Sequence, residues 1–131
     1  MSLDVATRVR FCLPLDDLRR YFTSFYVTEL RPAGGGTTSD TLHPEWANLR
    51  FFDGVGPDAR IDGGEQISGA RFAATGPSSR CTHFAIGATR FWGIGLLPLG
   101  WARFVGLPAA AHANLLADGH VHTSFARFVP L

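Results

Sequence analysis

From Leu49 onward the chain is a succession of short β-forming runs cut apart by turn residues, and this spacing constrains the fold more than any other feature. Leu49 to Phe52, Ala59 to Ile61, Ser68 to Ala74, Cys81 to Ile86 and Arg90 to Pro98 are rich in aromatic and branched side chains. Asp53 to Asp58, Asp62 to Gly64, Thr75 to Pro77 and the Gly87 region concentrate Gly, Pro and Asp. Runs this short, bounded this way, predict mainly antiparallel strands in a sandwich or barrel. A parallel βαβ reading fails because no helical pattern comes between them.

The first part of the chain fits the same architecture. Val5 to Phe11 alternates as an opening strand, and Pro14 breaks it before a helical turn at Leu15 to Tyr21, with Asp16 and Asp17 at its positive end. Tyr21 to Leu30 carries β-formers on both faces and predicts a strand covered on each side. Arg31 to Asp40, with its Gly34 to Gly36 run, reads as a loop. That glycine run has neither the Lys-Ser/Thr of a P-loop nor its flanking strand and helix, so it implies no phosphate site.

Past Leu97 the period changes. Leu99, Trp101, Phe104 and Val105 share one helical face, Gly106 ends the segment, and Pro108 suits the first turn of a second helix over Ala109 to Ala117. The glycines at alternate places before this join, Gly93 and Gly95, suit a strand lying close against a neighbour. In the tail from His120, the residues Phe125, Phe128 and Val129 form one face of a third helical turn after Thr123 or Ser124 as cap.

The strand, Pro-Leu-Gly, helix, Leu-Pro-Ala, helix, Asp-Gly order over Arg90 to Gly119 resembles the end of the amino-terminal regulatory domain in one branch of AraC-type bacterial transcription regulators. Leu15 to Phe22, Ser24 to Glu29, Leu42 to Phe51 and Ser68 to Pro77 extend the resemblance over most of the chain in the expected order. None of these stretches is a catalytic signature. The resemblance implies a cupin-like β barrel or sandwich over residues 1–98 with two or three helices over 99–131, together one regulatory domain that binds a small effector, dimerises, or does both. It also implies a carboxy-terminal helix-turn-helix region for reading DNA, for which this chain has no room.

Composition agrees with one globular domain: 131 residues, 46% hydrophobic and 18% charged, with no apolar stretch long enough to cross a bilayer. The amino terminus lacks the apolar core of a secretory signal, so the expected compartment is the cytoplasm. All basic residues are Arg, but they are scattered and the net charge is only +1, so no basic stripe for a phosphate backbone exists. DNA is expected as a partner only through the helix-turn-helix half. Cys12 and Cys81 match no metal-knuckle spacing and are expected as buried free thiols, with a disulfide open only if the fold brings them together.

Tests for chemistry return little. His43-Pro44-Glu45 matches the H-x-E of zinc deaminases, but the Pro-Cys-x-x-Cys that completes that site is absent. His120 and His122 lack the following Glu and later His that metal-binding cupins carry, and read as a solvated stretch. Ser78 and Ser79 form no nucleophile elbow and are expected to cap or brace a turn. The three glutamates Glu29, Glu45 and Glu65 show no acid/base spacing. No enzyme class, metal or cofactor is expected.

The remaining signal is aromatic. Tyr26, Phe51, Phe72, Phe84, Phe91 and Trp92 fall on neighbouring strands, where they fill a core or line a hollow. If a hollow exists, His43, Trp46, Arg50, Arg71, His83, Arg90 and Trp92 are its candidate ligand-binding residues, because Arg grips carboxylates and an aromatic surface with a polar handle suits small ligands. Trp101, Phe104, Val105, Leu115 and Leu116 either cap the domain's own sheet or pair two subunits. The expected function is therefore effector sensing or dimerisation within an AraC-type regulator. A ligand-free dimerisation module and a small cupin-type metal-binding enzyme are the alternatives.

Overall fold

The computed structural model describes residues 5–129, so the reading of the extreme amino terminus and of Pro130 and Leu131 lies outside the described residues. Ten strands, β1 (Val5–Cys12), β2 (Phe22–Pro32), β3 (Thr38–Leu42), β4 (Ala47–Asp53), β5 (Asp58–Ile61), β6 (Gln66–Ser68), β7 (Phe72–Thr75), β8 (Thr82–Ile86), β9 (Thr89–Leu96) and β10 (Leu116–Asp118), form the fold. They make a six-stranded sheet ordered β1-β2-β9-β4-β7-β10 and a four-stranded sheet ordered β3-β8-β5-β6, antiparallel throughout. The sheets pack face to face without closing into a barrel, so the fold is a mainly β sandwich.

Strand alternation divides the large sheet into two differently covered faces. Phe52, Ala73, Phe91 and Leu30 meet Ile67, Phe84 and Ile86 of the small sheet to form the core between the layers. On the opposite face Ala47, Leu49, Phe72, Ala74 and Leu96 are covered by Trp101, Val105 and Phe125 from the carboxy-terminal segment. The aromatic set expected to share one interior is thus split: Tyr26, Phe84 and Phe91 face inward, whereas Phe51, Phe72 and Trp92 lie on the other face.

The helical end is shorter than its sequence pattern. A helical turn at Pro98–Gly100 widens into a π turn over Trp101–Val105, and Gly106 ends it in the left-handed region at φ +73°. Ala110–His112 and Ala126–Phe128 are single 3-10 turns. The second helix expected over Ala109 to Ala117 is cut short because Leu116 and Ala117 instead pair with Thr75 and Ala74 as strand β10, where ladder hydrogen bonds override a weak helical preference. The Arg31 to Asp40 loop ends earlier than expected for the same reason, with Thr38, Ser39 and Asp40 joining β3. Ser68 to Ala74 is two strands, not one, broken at Gly69 with φ +69°.

One row of the large sheet carries alternating charge. Arg8, Glu29, Arg90 and Asp53 stand directly opposite one another across β1, β2, β9 and β4, each beside a partner of opposite sign. No helix among the described residues is long and apolar enough to cross a membrane.

Candidate functional site

Where the inter-sheet core ends, its apolar lining gives way to a polar cluster built on three strands. Tyr26 on β2, Gly93 on β9 and Arg50 on β4 are in register, so a tyrosine and an arginine flank a residue with no side chain. Tyr26 lies across Gly93: a Cβ added there would sit 2.0 Å from Tyr26 Cζ. Gly95 likewise leaves room for the Thr23 hydroxyl and faces Asn48. The alternate glycines therefore let side chains of β2 reach across the central strand toward β4.

What they reach is a connected network. Tyr26 O–H donates to Asn48 Oδ1 at 2.6 Å, and Asn48 Nδ2 donates to the Trp46 carbonyl at 3.0 Å. Arg50 Nη2 donates to both oxygens of Glu45, at 2.8 and 3.1 Å. The side chains of Arg50 and Glu45 are 14% and 29% exposed, so the pair sits at the rim of the interior and not in bulk water. Burial pushes the Tyr26 phenol above its usual value, against the lowering pull of Arg50. For Arg50 burial alone would depress the guanidinium, but Tyr26 and Glu45 outweigh it and its pKa stands above the ordinary arginine value.

Glu45 is fixed in place by a second set of contacts. Its backbone N–H donates to Ser78 Oγ at 2.9 Å, and its carbonyl accepts from the Ser78 N–H at 2.9 Å. The turn around Ser78 is in turn held by Asn114, whose N–H donates to the Pro77 carbonyl and whose Oδ1 accepts from the Ser79 N–H, both at 2.9 Å. Asn114 adopts φ +60°, a left-handed conformation that costs most side chains energy but that Asn tolerates. A continuous chain of hydrogen bonds thus joins the polar cluster to the segment leading into β10 and the carboxy-terminal cover.

Of the seven candidate ligand residues, Arg50 lies in this cluster, and Trp46 contributes its carbonyl while its ring is 53% exposed nearby in sequence. His43 is exposed in the loop before β4. Arg71 is exposed ahead of β7, and Arg90 and Trp92 lie on the face of the large sheet turned away from the small one, with Arg90 stacked 5.1 Å from the Trp92 ring centroid. His83 is on the outer face of the small sheet, in a surface depression of about 520 Å³ shared with Thr41, Asp58 and Arg60. Its Nε2 lies 2.6 Å from Asp62 Oδ1 and its Nδ1 3.2 Å from Thr41 Oγ1. These five do not converge on Arg50.

The helical candidates divide similarly. Trp101, 2% exposed, and Val105 are buried on the chain's own sheet, and Trp101 Nε1 donates to the Leu107 carbonyl at 2.7 Å. Leu115 and Leu116 are half-buried, and Phe104 stacks on Phe22 with its edge open to solvent. Cys12 and Cys81 were both expected to be buried, but Cys12, on the edge strand β1, is exposed and Cys81 is only half-buried; both are free. No group of three metal-ligating side chains occurs among the described residues.

Tyr26, Glu45, Asn48 and Ser78 were not singled out by sequence as binding residues. The signal available for them was the glycine pair Gly93 and Gly95, which marks close approach without naming the side chain that approaches.

No protein-family model, curated protein or solved structure matches the chain. The functional reading accordingly rests on the geometry and on the resemblance carried by the sequence motifs.

Proposed function

We propose that this domain is the effector-sensing domain of an AraC-type transcription regulator and that the Tyr26, Asn48, Arg50 and Glu45 cluster is where the effector acts. The observation that carries the reading is the placement of a guanidinium–carboxylate pair, a phenol and an amide at the end of an otherwise apolar interior. Half-buried ion pairs add little to stability compared with apolar residues of the same size, whereas clustered polar groups of this kind are common at binding sites.

The mechanism is a population shift. An effector bearing a carboxylate or a comparable acceptor competes with Glu45 for Arg50. Release of Glu45 loosens the Ser78 turn, and Asn114 transmits that change to the carboxy-terminal cover, the part of the domain nearest the expected DNA-reading half.

Thermal-shift measurements with a panel of small carboxylates and polyols test the reading. A compound that raises the melting temperature of the wild type and has no effect on a folded Arg50→Met variant supports it. A shift that persists in Arg50→Met, or no response to any compound, removes the effector role and leaves a ligand-free dimerisation module as the better account.

A further inference from the structure

The outer face of the small sheet carries a second set of polar side chains, which the effector reading does not use. Thr41 on β3, His83 on β8 and Arg60 on β5 stand in one row across the strands. In the next row on the same face Ala85 lies between Ser39 and Asp58. Its short side chain, set among longer ones, is the apolar floor of the depression of about 520 Å³ on this face.

His83 has a partner on each ring nitrogen. Nε2 lies 2.6 Å from Asp62 Oδ1, and Nδ1 lies 3.2 Å from Thr41 Oγ1. An ionised carboxylate can only accept, so the proton of the neutral imidazole is assigned to Nε2 and the lone pair to Nδ1. The Thr41 hydroxyl then donates to Nδ1. Asp62 is itself fixed, its N–H donating to the Cys81 carbonyl at 3.1 Å and its own carbonyl accepting from Arg80 Nη1 at 3.3 Å. A hydroxyl on a base whose tautomer a carboxylate sets is the arrangement that activates alcohol nucleophiles. Arg60, on the other side of His83, makes no ion pair among the described residues, and a guanidinium there can stabilise an oxyanion.

We propose that this face is an acyl-transfer site that hydrolyses short-chain esters, with Thr41 as nucleophile, His83 as general base and acid, and Asp62 as positioning residue. Thr41 Oγ1 bonds to the ester carbonyl carbon while its proton passes to His83 Nδ1; the carbon–oxygen bond to the alcohol then breaks, and the alkoxide takes that proton. Water attacks the resulting acyl-threonine, gives a proton to Nδ1 that returns to Thr41 Oγ1, and releases the carboxylic acid. The His83 and Asp62 side chains are 45% and 51% exposed, so water reaches the intermediate. The small floor at Ala85 suits a short acyl chain, and Asp58 and Gln66 suit a hydroxylated alcohol portion. None of these residues belongs to the Tyr26 and Arg50 cluster, so the proposal stands or falls separately from the effector reading.

Hydrolysis of p-nitrophenyl acetate tests it, with circular dichroism to show that each variant is folded. Thiols also attack such esters, so the rates are compared in a Cys12→Ser, Cys81→Ser background. His83→Ala and Thr41→Val are each expected to lower the rate by about a hundredfold, whereas His120→Ala, at another exposed histidine, leaves it unchanged. Asp62→Asn is expected to lower kcat by at least about tenfold with KM unchanged, since it disturbs the tautomer and not the depression. Arg60→Gln lowers the rate and Arg60→Lys restores part of it. Mass spectrometry of acid-quenched wild type should find the acetyl group on Thr41, and p-nitrophenyl octanoate should be the poorer substrate. A rate no higher than buffer, a rate indifferent to Thr41→Val, or an acetyl group on other residues but not on Thr41 overturns the proposal. Preference for the octanoate overturns the short-chain assignment.

Discussion

Gly93→Ala is the most demanding test of the candidate site, because a single methyl group is placed where the Tyr26 ring now lies. The added Cβ would stand 2.0 Å from Tyr26 Cζ and 2.3 Å from its hydroxyl oxygen, so the ring must leave. Leaving breaks the 2.6 Å hydrogen bond to Asn48, a loss of about 1 kcal/mol, and Asn48 is itself buried. Repacking a displaced ring within a filled interior adds about 1–3 kcal/mol. Alanine also stiffens the unfolded chain and restores strand propensity, which offsets roughly 0.5–1 kcal/mol. The balance is a destabilisation of about 1–3.5 kcal/mol, read from urea denaturation. Tyr26→Ala removes the obstacle, so in the double variant the Gly93→Ala penalty shrinks and the two costs fall short of additivity by about 1 kcal/mol or more. Additive costs, or a neutral Gly93→Ala, would refute the proposed crossing of β9 by Tyr26.

Three further substitutions probe the network and the cover. Glu45→Gln leaves the Arg50 guanidinium at the rim of the interior without its counter-charge and is expected to cost about 2 kcal/mol, reduced from fully buried cases by the partial exposure of both groups. Glu45→Gln combined with Arg50→Met should cost less than Glu45→Gln alone in the same urea assay. Because the Tyr26 phenol is raised in the folded protein, the folded state holds that proton more tightly than the unfolded chain; its contribution is complete below the unfolded tyrosine value near 10 and lost as pH rises through the folded value. The alkaline decline in melting temperature should therefore be shallower in Tyr26→Phe. Phe125→Ala, emptying a fully buried position of the outer core, should cost about 3–4 kcal/mol by denaturation and raise Trp101 solvent exposure, seen as a red shift in fluorescence.

Much of the sandwich was legible because its strands announce themselves twice, by apolar runs and by the turn residues between them. Leu49 to Phe52, Cys81 to Ile86 and Arg90 to Pro98 each coincide with a strand to within two residues at either end. Local pattern failed where pairing over long distance decided the outcome. Leu116 and Ala117 became a strand only because Thr75 and Ala74, far back in the chain, offered an open ladder. The candidate site was less legible. Arg50 was recognised from its residue type, but its partners come from β2, from the loop before β4 and from the turn at Ser78, and only register across β9 brings them together. A sequence states which residues alternate; it does not state which strand lies next to which. Trp92 and Arg90 illustrate the cost, being one residue out of phase with the inward face.

The sheet order carries a consequence for how the chain comes to be folded. β9 lies between β2 and β4 and pairs with both, yet it is made well after either of them. As the polypeptide emerges from the ribosome, β2 and β4 must wait with apolar faces and unpaired edges until Thr89 to Leu96 has been synthesised. Such waiting strands are where chains stick to one another, and topologies dominated by distant pairings fold slowly. Gly93 and Gly95 then have a second cost, since the strand that completes the sheet is also the one whose glycines give it the least intrinsic reason to extend.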